Sequence, residues 1–225
     1  MKPFLVFDMD GVLVDVTESY RETISRTVEH FTGRPIARAE IQDLKNRGGF
    51  NDDWKLSHHV IASRGVAVEF DRVVDHFQTI FHGADGAPGL ILRERWLARP
   101  GLLERLAARY RLAVFTGRLK WEAEITLRRF ASAVPFDPIV GMQEVEQSKP
   151  HPDGLLRISK QAAGQPVWYV GDTVDDARCS RAAGAAFIGI AAPYNPRREE
   201  LVRLFWSEAA AAVLDDINGL EAALP

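Results

Sequence analysis

The stretch Phe4-Leu5-Val6-Phe7-Asp8-Met9-Asp10-Gly11 decides how this chain reads. Four uninterrupted apolar residues fit a strand buried on both faces, as in a parallel sheet covered by helices on each side. The run stops at Asp8, and in extended backbone residues two apart point the same way. Asp8 and Asp10 would then face one pocket beyond the strand's carboxyl end, where open α/β sheets bind ligands. Alone, Asp-x-Asp-Gly is also an ordinary polar turn after a strand. The rest of the chain must decide between the two.

Outward from that stretch, short apolar runs recur at 112–115, 138–140, 167–170 and 187–190, each bounded by Gly, Asp or Pro. Helix-length segments fall at 101–109, 120–130, 153–163 and 175–183. In the second of these Trp121 and Ile125 recur at i, i+4, with Glu124 and Arg128 paired on the outside. Strand–helix alternation of this kind predicts an α/β fold with a doubly wound parallel sheet.

Between the first two runs the rhythm changes. Tyr20, Ile24, Val28 and Phe31 share a helical face that ends at Gly33, and a second helix is expected over 37–45. Asn51-Asp52-Asp53 reads as a capped helix start running to Ser63, with Gly65 as its stop. Val73, Val74, Phe77, Ile80 and Phe81 line a stripe over 71–81, and 83–89 reads as a loop. This predicts a core domain of residues 1–15 and 96–225, interrupted by a helical cap domain over 16–95. The alanine-rich 209–213 segment reads as a C-terminal helix, with Trp206 near its start as an apolar anchor.

Composition excludes several classes. A net charge of −3 with both signs interspersed gives no basic stripe for nucleic acid and no membrane-binding face. The single Cys179 cannot form an intramolecular disulfide, and the apolar run before Asp8 is too short for a signal core or a membrane span. The expectation is a cytoplasmic protein without nucleic-acid or membrane partners; composition is silent on oligomeric state.

Three further strand-end loops carry chemistry. The second run ends in Phe115-Thr116-Gly117-Arg118, Lys149-Pro150 lies in a proline-rich stretch over 148–152, and the fourth run ends in Gly171-Asp172-Thr173-Val174-Asp175-Asp176. Acid pair, hydroxyl, lysine and acid pair thus follow in order. With these residues the chain resembles the haloacid dehalogenase-like superfamily, in its phosphoglycolate phosphatase-like branch, which inserts a helical cap of the C1 type after the first motif (subfamily I). Asp8-Met9-Asp10-Gly11-Val12 matches the first motif, Thr116 the second, Lys149 the third, and Gly171-Asp172 with Asp176 the fourth.

The resemblance implies a sheet with the first and fourth strands adjacent at the switch point, and a Mg2+-dependent phosphatase for small phosphorylated metabolites. Asp8 would attack phosphorus and carry an aspartyl-phosphate. Asp10 would protonate the leaving oxygen and then activate water. The ion would be held by Asp8, Asp172 and the Asp10 carbonyl, with Asp176 behind it acting through water. Thr116 and Gly117 would hold phosphate oxygens, and Lys149 would neutralise charge between Asp8 and the phosphate. Related dehalogenases lack the second acid and the metal, so Asp10 with Asp172 favours phosphoryl transfer. A phosphomutase of the β-phosphoglucomutase type keeps the same residues; a non-catalytic phospho-ligand-binding regulator is the alternative of another class.

Other residues have bland readings beside functional ones. Asp175 reads as a solvated helix-start acid. Arg118 reads either as a substrate contact or as an exposed turn residue, and Lys45 and Arg47 as substrate-contacting bases or ordinary surface bases. Trp54 reads as cap core. His58 and His59 point about 100° apart on a helix, unlike metal ligands at i, i+4. His151 is loop-forming and Cys179 a buried filler.

Overall fold

The computed structural model describes residues 2–84 and 86–225; residue 85, within the expected 83–89 loop, lies outside them. Among the described residues, six parallel strands form one sheet: β1 (Phe4–Phe7), β4 (Arg111–Phe115), β5 (Phe136–Val140), β6 (Val167–Gly171), β7 (Ala186–Ile190) and β8 (Ala212–Leu214). Their order is β5-β4-β1-β6-β7-β8, with β1 between β4 and β6. The fold is the doubly wound α/β type. Two further strands, β2 (Val14–Asp15) and β3 (Arg95–Trp96), form a separate antiparallel ribbon.

The continuous apolar runs arise because both faces of the sheet are buried. Along β1, Leu5 and Phe7 enter one core while Phe4 and Val6 enter the other. Leu112 and Val114 against Ala113 and Phe115 repeat this on β4, as Ile188 and Ile190 against Phe187 do on β7. Helices α5 (Leu102–Arg109), α6 (Lys120–Phe130), α7 (Asp153–Ser159), α8 (Val174–Ala183) and α9 (Arg198–Ser207) link these strands, with a short α10 (Leu220–Ala223) at the end.

Between β2 and β3 the chain forms α1 (Tyr20–Thr32), α2 (Arg38–Arg47), α3 (Asp53–Ser63) and α4 (Phe70–His82). Gly33 closes α1 in the left-handed region, and Asp52 caps α3 by accepting from the Trp54 and Lys55 amides. Tyr20, Phe77 and Phe81 pack α1 against α4, with ring centroids of Tyr20 and Phe81 4.1 Å apart. The β2–β3 ribbon gathers both chain crossings, and Arg95 meets Asp15 at 2.5 Å across it.

Two expectations fail here. The alanine-rich tail is not a helix: Ala212–Leu214 pairs with β7 as an edge strand, and Trp206 ends α9 with 53% of its surface exposed. High helix propensity of alanine yields there to an open sheet edge that a parallel strand can extend. On α6, Trp121 and Ile125 stay 44% and 39% exposed, while Glu122, Ala123, Thr126 and Leu127 turn inward. The apolar spacing missed that face because Glu122 and Thr126 are buried by polar partners. Arg128 bonds the Glu124 carbonyl rather than its carboxylate.

Candidate active site

Pairing of β1 with β6 brings their carboxyl ends together, and with them Asp8 and Asp172. Carboxylate oxygens of Asp8, Asp172 and Asp176 all lie within 4.8 Å of one another. Gly11 makes the approach possible: its φ is +72°, and a Cβ there would stand 2.0 Å from Asp172 Oδ2. Only glycine tolerates both demands.

Asp176 is oriented by the start of its own helix. Thr173 caps α8, and the Asp176 carboxylate returns to accept from the Thr173 amide (3.0 Å) and hydroxyl (2.6 Å) in a capping box. Its other oxygen takes the Tyr169 hydroxyl and Lys149 Nζ, both at 2.8 Å. Lys149 also stands 3.0 Å from Asp8 Oδ1. Burial opposes the lysine's charge, but Asp176 and Asp8 outweigh it and hold its pKa above the ordinary value. For Asp176, burial is outweighed by Lys149, Thr173 and Tyr169, and its pKa is lowered.

Asp8 and Asp172 stand differently. Burial, against the pull of Lys149 and with the help of Asp176 and Asp10, pushes Asp8 up to about 7. Burial, then Asp176 and Asp8, push Asp172 well above the carboxylate range. Two desolvated acids facing each other with one lysine between Asp8 and Asp176 form an under-neutralised set of oxygen donors, which suits a hard divalent cation. Both Asp176 oxygens already accept hydrogen bonds from Thr173, Tyr169 and Lys149.

Thr116 and Gly117 sit at the end of β4. The Thr116 hydroxyl accepts from the Arg118 amide at 3.2 Å, which leaves its own proton free to donate. Gly117 receives the approach of Asn51, whose Nδ2 would stand 2.6 Å from a Cβ there. Arg118 is not exposed, although it lines the site. It is 2% exposed and engages Asp10, Glu94 and Thr126, with its guanidinium 4.7 Å from the Tyr20 ring centroid. A residue after a strand-end turn reads as exposed until the charges that cover it arrive from elsewhere in the chain.

From the helical segment, Lys45 is buried against Asp53 at 2.7 Å and lines the site; Arg47 is exposed and does not. Asp175 is not solvated. It is 1% exposed and accepts from the Gly49 amide with both oxygens, at 3.0 and 2.8 Å. As the residue before Asp176 on α8, it faces the 47–51 loop while the capping box turns Asp176 inward. Trp54 packs on the core and also lines the site. His58 bonds the Val68 carbonyl, His151 pairs with Asp153, and Cys179 is buried with its thiol pushed up to about 12.

Asp8, Asp10, Asp172, Gly117, Arg21, Lys45 and Asn51 are among the residues lining one cleft at the carboxyl end of the sheet. Sequence reasoning missed Arg21, Asn51, Glu94, Tyr169 and Thr173. Thr173 had a signal in its capping-box spacing to an acid; the others reach the site only through tertiary packing.

These features have known counterparts. The family model described as haloacid dehalogenase-like hydrolase matches residues 5–190. The chain belongs to the haloacid dehalogenase-like hydrolase family. The probable phosphatase IndB of Dickeya dadantii is 31% identical over 205 residues, covering 84% of this chain and 81% of that protein. An imidazoleglycerol-phosphate dehydratase of Phytophthora nicotianae is 31% identical over 198 residues; the match spans 84% of this chain but 43% of that longer protein. Among solved structures, the phosphatase Tt82 from Thermococcus thioreducens superposes with a TM-score of 0.63 at 27% identity, covering 89% of this chain and 98% of that one. The resemblance read from the four motifs is borne out, and the chain is a phosphatase-like haloacid dehalogenase-like hydrolase. Among the described residues no helix is long and apolar enough to cross a membrane.

Proposed function

We propose that this chain is a Mg2+-dependent phosphatase that hydrolyses a small phosphorylated metabolite through an aspartyl-phosphate on Asp8. The observation that carries the reading is the buried meeting of Asp8, Asp172 and Asp176 with Lys149 between Asp8 and Asp176, and Asp10 two residues on. The ion would be held by the Asp8 and Asp172 carboxylates and the Asp10 carbonyl. When bound, it supplies positive charge against the phosphate oxygens.

The remaining roles fall to the chain itself. Asp8 attacks phosphorus in line with the leaving oxygen. The Thr116 hydroxyl and the Gly117 amide donate to non-bridging oxygens, and Lys149 offsets the negative charge shared by Asp8 and the phosphate. Asp10 gives a proton to the leaving oxygen, then takes one from the water that cleaves the acyl-phosphate. Residues 16–95 act as a cap over a core of 1–15 and 96–225. Lys45, Asn51 and Trp54 of that segment line the same cleft as Asp8, which supports a cap that moves over the site.

Phosphate release from p-nitrophenyl phosphate, measured with and without Mg2+ in wild type and Asp8→Asn, tests the proposal. Activity that needs both the ion and the Asp8 carboxylate is expected. Release that persists in Asp8→Asn, or that ignores the metal, would refute it.

A further inference from the structure

Arg118 has no task in the reaction proposed above, yet its guanidinium is buried between two carboxylates and a hydroxyl. Its Nε donates to Asp10 Oδ1 at 2.7 Å, and its second terminal nitrogen stands 2.5 Å from the same oxygen. That nitrogen is also 2.7 Å from Glu94 Oε1, and the remaining one donates to Thr126 at 3.0 Å. Thr126 in turn donates to the other Glu94 oxygen at 2.8 Å. Tyr20 lies under the guanidinium plane. Tyr20 opens α1 and Glu94 directly precedes β3, so both crossings between the sheet and the helical segment touch this one side chain.

We propose that Arg118 is a positioning residue that aims the Asp10 carboxyl group and selects which of its oxygens carries the transferable proton. Nε donates to Oδ1 and a second guanidinium nitrogen stands beside the same oxygen, and neither nitrogen can accept a hydrogen bond. A proton on Asp10 therefore sits on Oδ2, the oxygen that Arg118 leaves free. In the first half-reaction the Asp8–phosphorus bond forms, the ester P–O bond breaks, and the Oδ2 proton passes to the departing oxygen, which leaves Asp10 as carboxylate. In the second half-reaction a water oxygen bonds to phosphorus, the Asp8–phosphorus bond breaks to release phosphate and free the Asp8 carboxylate, and the water's proton passes to Oδ2. A planar fork fixes that orientation, whereas a lysine ammonium would supply the charge without the aim. Because Glu94 and Tyr20 come from the two crossings, the aim is complete only when the helical segment is seated as it is here.

This inference rests on the phosphatase reading, and its test separates the two. The leaving group needs a proton in proportion to its basicity, so a misdirected acid hurts alkyl esters most. The measurement is kcat/KM for p-nitrophenyl, phenyl and ethyl phosphate, which reports steps up to Asp8 phosphorylation. Arg118→Met leaves Glu94 buried without its cation, so Arg118→Met with Glu94→Gln keeps the charges balanced if the single variant fails to fold. Losses on the order of 100-fold with ethyl phosphate and under about 10-fold with p-nitrophenyl phosphate are expected, from the usual size of general-acid contributions. Arg118→Lys should fold with the same steep dependence on the leaving group. Adding Arg118→Met to Asp10→Asn should cost little more with ethyl phosphate, since the two side chains act as a unit. A loss equal across the three esters, no loss, or full additivity with Asp10→Asn would overturn the positioning role while Asp8-dependent turnover stands. Turnover indifferent to Asp8→Asn would remove the phosphatase reading and this inference together.

Discussion

Replacing Lys149 by methionine isolates the electrostatic centre of the site. The ammonium lies 3.0 Å from Asp8 and 2.8 Å from Asp176, with its side chain 1% exposed. At an effective dielectric of 20 each contact is worth roughly 5–6 kcal/mol of attraction, most of it offset by desolvation. Breaking a buried pair by removing one partner costs about 3–5 kcal/mol, because the other charges stay behind unpaired. For a chain of this size that is a fall in Tm on the order of 10 °C. The pH dependence has a definite sign. Asp176, whose folded pKa is lowered, contributes stability above its unfolded pKa and loses it only as pH falls through the folded value. Asp8, raised to about 7 beside Lys149, is pushed further up once that pull is gone, so the variant loses ground to the wild type as pH rises past 7. Lys149 itself stays charged throughout this range. Urea unfolding without metal should therefore show a larger deficit for Lys149→Met at pH 8 than at pH 5.5. A deficit under about 1 kcal/mol at pH 8, or one that grows toward acid, would refute this account of the charge balance.

Metal binding should follow the same carboxylates. Asp8 and Asp172 have raised pKa values, so the protonated metal-free protein is favoured in acid and that advantage fades as pH rises through about 7 for Asp8. The thermal shift produced by Mg2+ should be larger at pH 8 than at pH 5.5; equal shifts would contradict the donor assignment. Gly11→Ala should leave a folded protein whose Mg2+-induced shift is lost, because the new Cβ displaces Asp172 Oδ2. Asp175→Ala should release the Gly49 amide from its buried acceptor, raising hydrogen exchange there and costing about 1–3 kcal/mol in urea unfolding. Unchanged exchange at Gly49 would mean that the 47–51 loop is held by other contacts.

How much of this was legible in the chain depends on the range of each interaction. β1, β4, β6 and β7 were readable to within one residue, because burial on both faces writes an unbroken apolar run, whereas the edge strand β5, with Asp137 exposed, was readable only over 138–140. Asp8, Thr116, Lys149 and Asp172 were readable as strand-end or loop residues, and their order carried the family. The β8 edge strand was not readable, since three residues beside an alanine tract carry more helical than extended preference and only the free edge of β7 decides. Arg118 and Asp175 looked exposed because both follow turns, while Asp10, which holds Arg118, and the Gly49 amide, which Asp175 accepts, arrive from more than a hundred residues away.

By itself the sequence determined the alternation of buried strands and helices, the placing of acidic, hydroxyl and lysine groups at strand ends, and the helical nature of the insertion. Those follow from backbone periodicity and from burial, which every residue reports locally. Only the tertiary structure decided which carboxylate is neutralised by Lys149, which is held by Arg118 and which grips the Gly49 amide. A buried charge is stabilised by whatever partner the fold delivers to it, and that delivery depends on strand order and on how the helical segment seats, not on the neighbours in the chain.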